Sequence, residues 1–63
     1  MNEKDALVTA EELSGMIGIP LQSVWRAARL GRIPVYRIGN LVRFNPVEVL
    51  ATLRARGEVI RHD

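Results

Sequence analysis

The 63-residue chain has no cysteine, a single histidine, His62, and one each of Trp, Tyr and Phe. Without cysteine it forms no disulfide staple and no thiolate zinc site, and an intracellular setting suits it best. His62 has no partner ligand, and neither Ser14 nor Ser23 has a histidine to act as its base. Glu11 and Glu12 are adjacent, but neighbours on a helix point in different directions, and both suit the positive end of a helix dipole. The expectation is a protein that is not an enzyme and takes no metal, cofactor or small-molecule ligand. Its apolar runs are only a few residues long, far short of the roughly 20 that a membrane span needs. Met1 leads into charged residues rather than the apolar core of a signal peptide, so a cytoplasmic protein without membrane contact is expected.

Acid is missing where it matters most. Between Leu21 and Phe44 there are five arginines (Arg26, Arg29, Arg32, Arg37, Arg43) and no Asp or Glu. Residues 1–20 set Lys4 against Glu3, Asp5, Glu11 and Glu12, and residues 45–63 set three arginines against three acids, so the formal net charge of +2 conceals a +5 middle segment. Such a strip is the footprint of a surface that tracks phosphates. Eight of the nine basic residues are Arg, whose planar fork pairs bidentately with phosphate and with guanine edges.

The length fits one domain, 1–63, with an ordered core from about 7 to 57 and flexible ends at 1–6 and 58–63. A domain this small buries only about 60% of the surface its unfolded chain exposes. Thr9-Ala10-Glu11-Glu12 reads as a capping box, flanked by Val8 and Leu13 at the staple positions. The helix it starts runs to about Ile17, with Ala10, Leu13, Met16 and Ile17 on one face, and Gly18 ends it. After the Gly18-Ile19-Pro20 turn, a second helix is predicted from about Leu21 to Leu30, stopping at Gly31. At 100° per residue, Leu21, Val24, Ala27 and Ala28 share its apolar side. Gln22, Arg26 and Arg29 fall within about 60° of one another on the opposite side, flanked by Ser23 on one edge and Trp25 on the other.

From Val35 the pattern changes to period two, through Gly39-Asn40 to Phe44, which reads as a hairpin. A two-residue Gly39-Asn40 turn would pair Ile38 with Leu41 and set Arg37 on the face of Val42 and Phe44. A three-residue loop, Gly39 to Leu41, pairs Ile38 with Val42 instead. It gathers Tyr36, Ile38, Val42 and Phe44 on one face and both arginines on the other, and it is the expected register, with Leu41 at the exposed tip. Asn45-Pro46-Val47-Glu48 then reads as an Asn-capped helix start, with Val47, Val49, Leu50 and Leu53 on the buried side and Gly57 closing the helix.

The order helix, helix, hairpin, helix is a mostly α fold with a small β-hairpin, the winged helix-turn-helix, whose second helix lies in the major groove. Arg26 and Arg29 would then reach guanine O6 and N7 or phosphate, Gln22 adenine N6 and N7, and Ser23 a backbone phosphate. Arg37 and Arg43 on the wing would meet the flanking minor groove or its phosphates. Trp25, foremost a packing residue, borders this surface with its indole N–H, and Arg32 and Asn40 are further candidates for backbone contact.

Over Leu7 to Arg56, in the motifs LVTAEELSGMIGI, SVWRAARLGRIP, YRIGNLVRF and NPVEVL, the chain resembles the excisionase branch of the MerR-like winged helix-turn-helix superfamily. The resemblance implies a small phage or mobile-element protein of a bacterial cell. Such proteins bend DNA beside an attachment site, assist a tyrosine-family integrase in excision and inhibit reintegration. By position it implies recognition by Gln22, Ser23, Arg26 and Arg29 and wing contacts by Arg37 and Arg43. The sequence departs from the family at Pro20-Leu21, where a Ser or Thr cap is usual.

MerR-type regulators continue into a long dimerising helix and an effector domain, whereas this sequence ends soon after its third helix, so no sensor is expected. A lone module of this kind buries only about 600–1,000 Å² on DNA, so several copies are expected to bind side by side. The tail Glu58-Val59-Ile60-Arg61 or the N-terminal arm would touch the next copy or the integrase. Two other functions compete: a small transcription regulator on the same fold, and an interaction module whose arginines grip an acidic protein.

Overall fold

A computed structural model describes residues 6–57, in the order α1 (Ala10–Ile17), α2 (Leu21–Arg29), β1 (Tyr36–Ile38), β2 (Leu41–Arg43), α3 (Pro46–Ala55). Three helices and one antiparallel two-stranded hairpin in this order make a winged helix-turn-helix layout. The terminal arm and tail, with Val59, Ile60 and His62, lie outside the described residues. Among the described residues no helix is long and apolar enough to cross a membrane.

The cap of α1 forms reciprocally: the Glu12 N–H donates to Thr9 Oγ1 at 3.1 Å, and the Thr9 N–H donates to Glu12 Oε1 at 2.9 Å. These bonds satisfy two donors that a helix start would leave open. At the other end Gly18 adopts φ +72°, and the Gly18 and Ile19 N–H groups both donate to the Ser14 carbonyl. The Ser14 hydroxyl returns a bond to the Ile19 carbonyl at 2.6 Å, which closes the turn between α1 and α2. Pro20 precedes α2 without a side-chain cap, so the departure noted at Pro20-Leu21 leaves the start of that helix without a hydroxyl acceptor. At the end of α2 the Gly31 N–H donates to the Ala28 carbonyl and the Arg32 N–H to the Ala27 carbonyl.

Leu13, Phe44 and Val49 are the largest fully buried side chains, one each from α1, the base of the wing and α3. Ala10 and Ile17 of α1, Val24 and Ala28 of α2, and Ile33 and Leu53 complete the core around them. Two residues expected on the buried sides of the helices lie outside it. Met16 and Val47 are both mostly exposed, because each stands at the rim of its helix's apolar arc, where a small domain has no further layer to cover it.

The hairpin register differs from the expected one. Ile38 pairs with Leu41, Arg37 with Val42 and Tyr36 with Arg43, so the loop is the two-residue Gly39-Asn40 turn and Leu41 belongs to a strand. The cause is turn chemistry. A three-residue loop ends on a left-handed position, which here would fall on Leu41 at a cost of about 1–2 kcal/mol. The two-residue turn instead needs positive φ at its first residue, and Gly39 supplies it at +59° while no other residue type in the described chain has positive φ. Directly paired residues share a face, so Tyr36, Ile38, Leu41 and Arg43 stand on one side and Arg37 and Val42 on the other. The two wing arginines are thus on opposite faces, and Tyr36 and Ile38 are not core residues.

The wing is tied to the body at three points. Val8 and Phe44 form an isolated antiparallel bridge, each N–H donating to the other's carbonyl at 2.8 Å, so the segment before α1 extends the sheet by one pair. The Phe44 ring meets Trp25 of α2 edge to face, with centroids 6.2 Å apart and planes at 70°. The Tyr36 hydroxyl is shared between both oxygens of Glu48, 2.8 and 3.0 Å away, on the first turn of α3.

Candidate nucleic-acid interface

α2 separates polar from apolar more sharply than α1 or α3, and the packing follows that separation. Val24 and Ala28 are buried, whereas Gln22, Ser23, Arg26 and Arg29 are exposed and together line one shallow surface hollow. The structure therefore brings together the four residues that helical spacing had grouped. The turn closed by Ser14 and Ile19 leads through Pro20 into this helix, and the burial of Val24 and Ala28 fixes its rotation, so the polar ridge faces solvent.

On one flank of the ridge Trp25, 39% exposed, leans on Phe44. Because Phe44 is also the base of β2's extension and the partner of Val8, this contact sets the position of the wing relative to α2. Trp25, expected foremost as a packing residue, meets the core through its edge contact with Phe44 but is itself exposed. On the other flank a more apolar groove runs between α2 and the end of α3, with Ile19, Ala27, Leu30 and Leu53 along it and Arg26 and Arg32 at its edge. Arg32 is exposed just beyond α2, and Asn40 is exposed at the tip of the wing.

The wing arginines occupy different settings. Arg37 is exposed near the tip, on the face of Val42. Arg43 is half-buried at the base, and its Nη1 donates to the Val42 carbonyl at 2.8 Å. Its charge also acts on Glu12: the hydrogen bonds from Thr9 hold the Glu12 carboxyl below its usual value, and Arg43 adds a smaller pull in the same direction. Arg43 is partly engaged within the protein, whereas Arg37 projects from it.

Two positioning features had little or no signal in the sequence. The Tyr36 and Glu48 pair spans twelve residues and two element types, with no periodicity to connect them. Val8 was legible as a staple residue at the start of α1 but not as a bridge partner of Phe44, because one isolated pair leaves no alternating pattern. No family model, no curated protein and no solved structure matches this chain.

Proposed function

We propose that this protein binds double-stranded DNA, with α2 in the major groove and the wing against the adjacent minor groove. The observation that carries the reading is the outward ridge of Gln22, Ser23, Arg26 and Arg29, within a segment from Leu21 to Phe44 that holds five arginines and no acid. Arg and Gln are the side chains that read guanine and adenine edges bidentately, and a segment without acids adds no carboxylate of its own to repel phosphate. Arg37 and Asn40 are the wing groups placed to meet DNA, with Arg43 supporting the wing's base.

The role proposed is that of the excisionase group whose motifs the sequence resembles. Several copies bind neighbouring repeats at an attachment site and bend the DNA, working beside a tyrosine-family integrase in the cytoplasm of a bacterial cell. The protein acts as an architectural factor and not as an enzyme. Cooperation between copies offsets the small area that a single module buries. The test is a mobility-shift titration of a duplex carrying tandem copies of a site selected from a random pool. Successive discrete shifts at closely similar concentrations support the reading, a single non-bending complex favours a transcription regulator, and no shift at all overturns DNA binding.

One observation favours a second reading, in which the arginines grip an acidic protein. The groove between α2 and α3 sets apolar side chains, Leu30 and Leu53 among them, beside Arg26 and Arg32, a combination suited to an acidic amphipathic peptide. That reading requires Arg26→Ala with Arg29→Ala to leave DNA affinity unchanged.

A further inference from the structure

The wing's register leaves an apolar pair at its end for which the fold has no use. Ile38 and Leu41 are directly paired across the Gly39-Asn40 turn, on the same face, and are 60% and 52% exposed. Side chains so paired have Cβ atoms about 4.5–5.5 Å apart, so the two form one continuous apolar edge. We propose that Ile38 and Leu41 act as a wedge that enters the minor groove, partly unstacks a base step and kinks the duplex. The proposal rests on the DNA-binding reading and gives the bend a physical origin.

Three features fit the edge to DNA. Arginines flank it on both faces of the hairpin: Arg37 lies on the opposite face and Arg43 on the same face at its base, while the carboxylate on that face, Glu48 of α3, is engaged by the Tyr36 hydroxyl. A duplex straddled by the hairpin would bring phosphates to both arginines, whereas a partner docked on one face would meet only Arg43. The tip is slender, because Gly39 has no side chain and nothing lies within 4 Å of where a Cβ would stand, which suits a groove about 6 Å wide. Asn40 beside it offers a donor and an acceptor to base edges. The wedge is also braced, since on the same face the Tyr36 hydroxyl is fixed to Glu48 of α3. Apolar side chains of this type, inserted between base steps by minor-groove binders, kink DNA by about 20–90° toward the major groove.

The experiment compares wild-type protein with Ile38→Thr/Leu41→Thr, which puts a strand-favouring β-branched residue at both positions and removes no buried side chain. The probe is a duplex selected by the wild-type protein from a random pool and labelled at both ends. Energy transfer between the ends reads the bend, and a parallel mobility shift reads binding. The expected result is a bend with wild-type protein and, with the variant, a bound duplex whose end-to-end signal equals that of free DNA, at an unchanged salt slope. Wild-type binding without a bend, or a bend of the same size with the variant, overturns the wedge and leaves DNA binding intact. Failure of the wild-type protein to bind any duplex overturns both. If the variant instead abolishes self-association with the bend unchanged, the face belongs to a second copy and the wedge is overturned.

Discussion

Replacing Asn45 with Ala should remove more stability than any other change that deletes no apolar atoms. Asn45 is 6% exposed, and its Oδ1 accepts from the Val47 N–H at 3.0 Å and the Glu48 N–H at 3.3 Å, so one side chain closes the start of α3. Loss of an Asn cap costs about 1 kcal/mol, up to about 2. Here the donors sit beside a buried residue, so water replaces the lost acceptor poorly and the total should approach about 2 kcal/mol. A chain of this length has a total stability of roughly 3–9 kcal/mol. The substitution should therefore lower Tm by about 8–16 °C. Urea unfolding followed by Trp25 fluorescence reads it directly, because Trp25 is the chain's one tryptophan and packs on Phe44, the residue before the cap. Asn45→Asp retains an acceptor and should recover most of the loss. A cost below about 0.5 kcal/mol for Asn45→Ala, within the range of ordinary surface substitutions, would refute the argument that this cap holds α3.

Other outcomes follow from the same contacts. Tyr36→Phe removes the hydroxyl bond to Glu48 and should cost about 0.5–1.5 kcal/mol in urea unfolding, with faster amide exchange in β1 and β2 than in α1. Hydrogen bonding from Thr9, reinforced by Arg43, lowers the folded-state pKa of Glu12, so its contribution is fully present above the unfolded value near 4.5 and is lost as pH falls through the lower folded value. Stability of the wild-type protein should accordingly fall more steeply below pH 4.5 than that of Glu12→Gln, as acid titrations of Tm would record. In binding assays on a selected site, Arg26→Ala should relax preference at one base position by about 1–3 kcal/mol, whereas Arg37→Ala should weaken all sequences alike.

The helices were legible because their signals are local. Thr9 and Glu12 stand three apart, Asn45 precedes Pro46, and Gly18 and Gly31 follow the last apolar residues, so propensity, capping and period agree. The outward ridge of α2 followed from spacing alone, since Val24 and Ala28 on the opposite side leave only one rotation that buries them. The wing was harder because two criteria opposed each other. Grouping apolar residues favoured the longer loop, whereas the left-handed position at the turn favoured Gly39 and not Leu41, and with only three residues per strand the backbone requirement outweighed the burial of Ile38. That outcome separated the two wing arginines and created the exposed pair at the tip. Met16 and Val47 mark a different difficulty: periodicity identifies an apolar arc but not how far the neighbouring layer reaches across it.

The central claim is that the arginine ridge of α2 grips DNA. Its most direct test is the salt dependence of duplex binding for wild-type protein and for Arg26→Ala/Arg29→Ala, with circular dichroism confirming that both are folded. If four or five arginines of the Leu21 to Phe44 segment meet phosphates, log K for the wild-type protein should fall against log[salt] with a slope of about −3.6 to −4.5. The double variant should bind about 30-fold more weakly or worse, from two contacts of at least about 1 kcal/mol each, with a shallower slope. Equal affinity and equal slope for the two proteins would contradict the account.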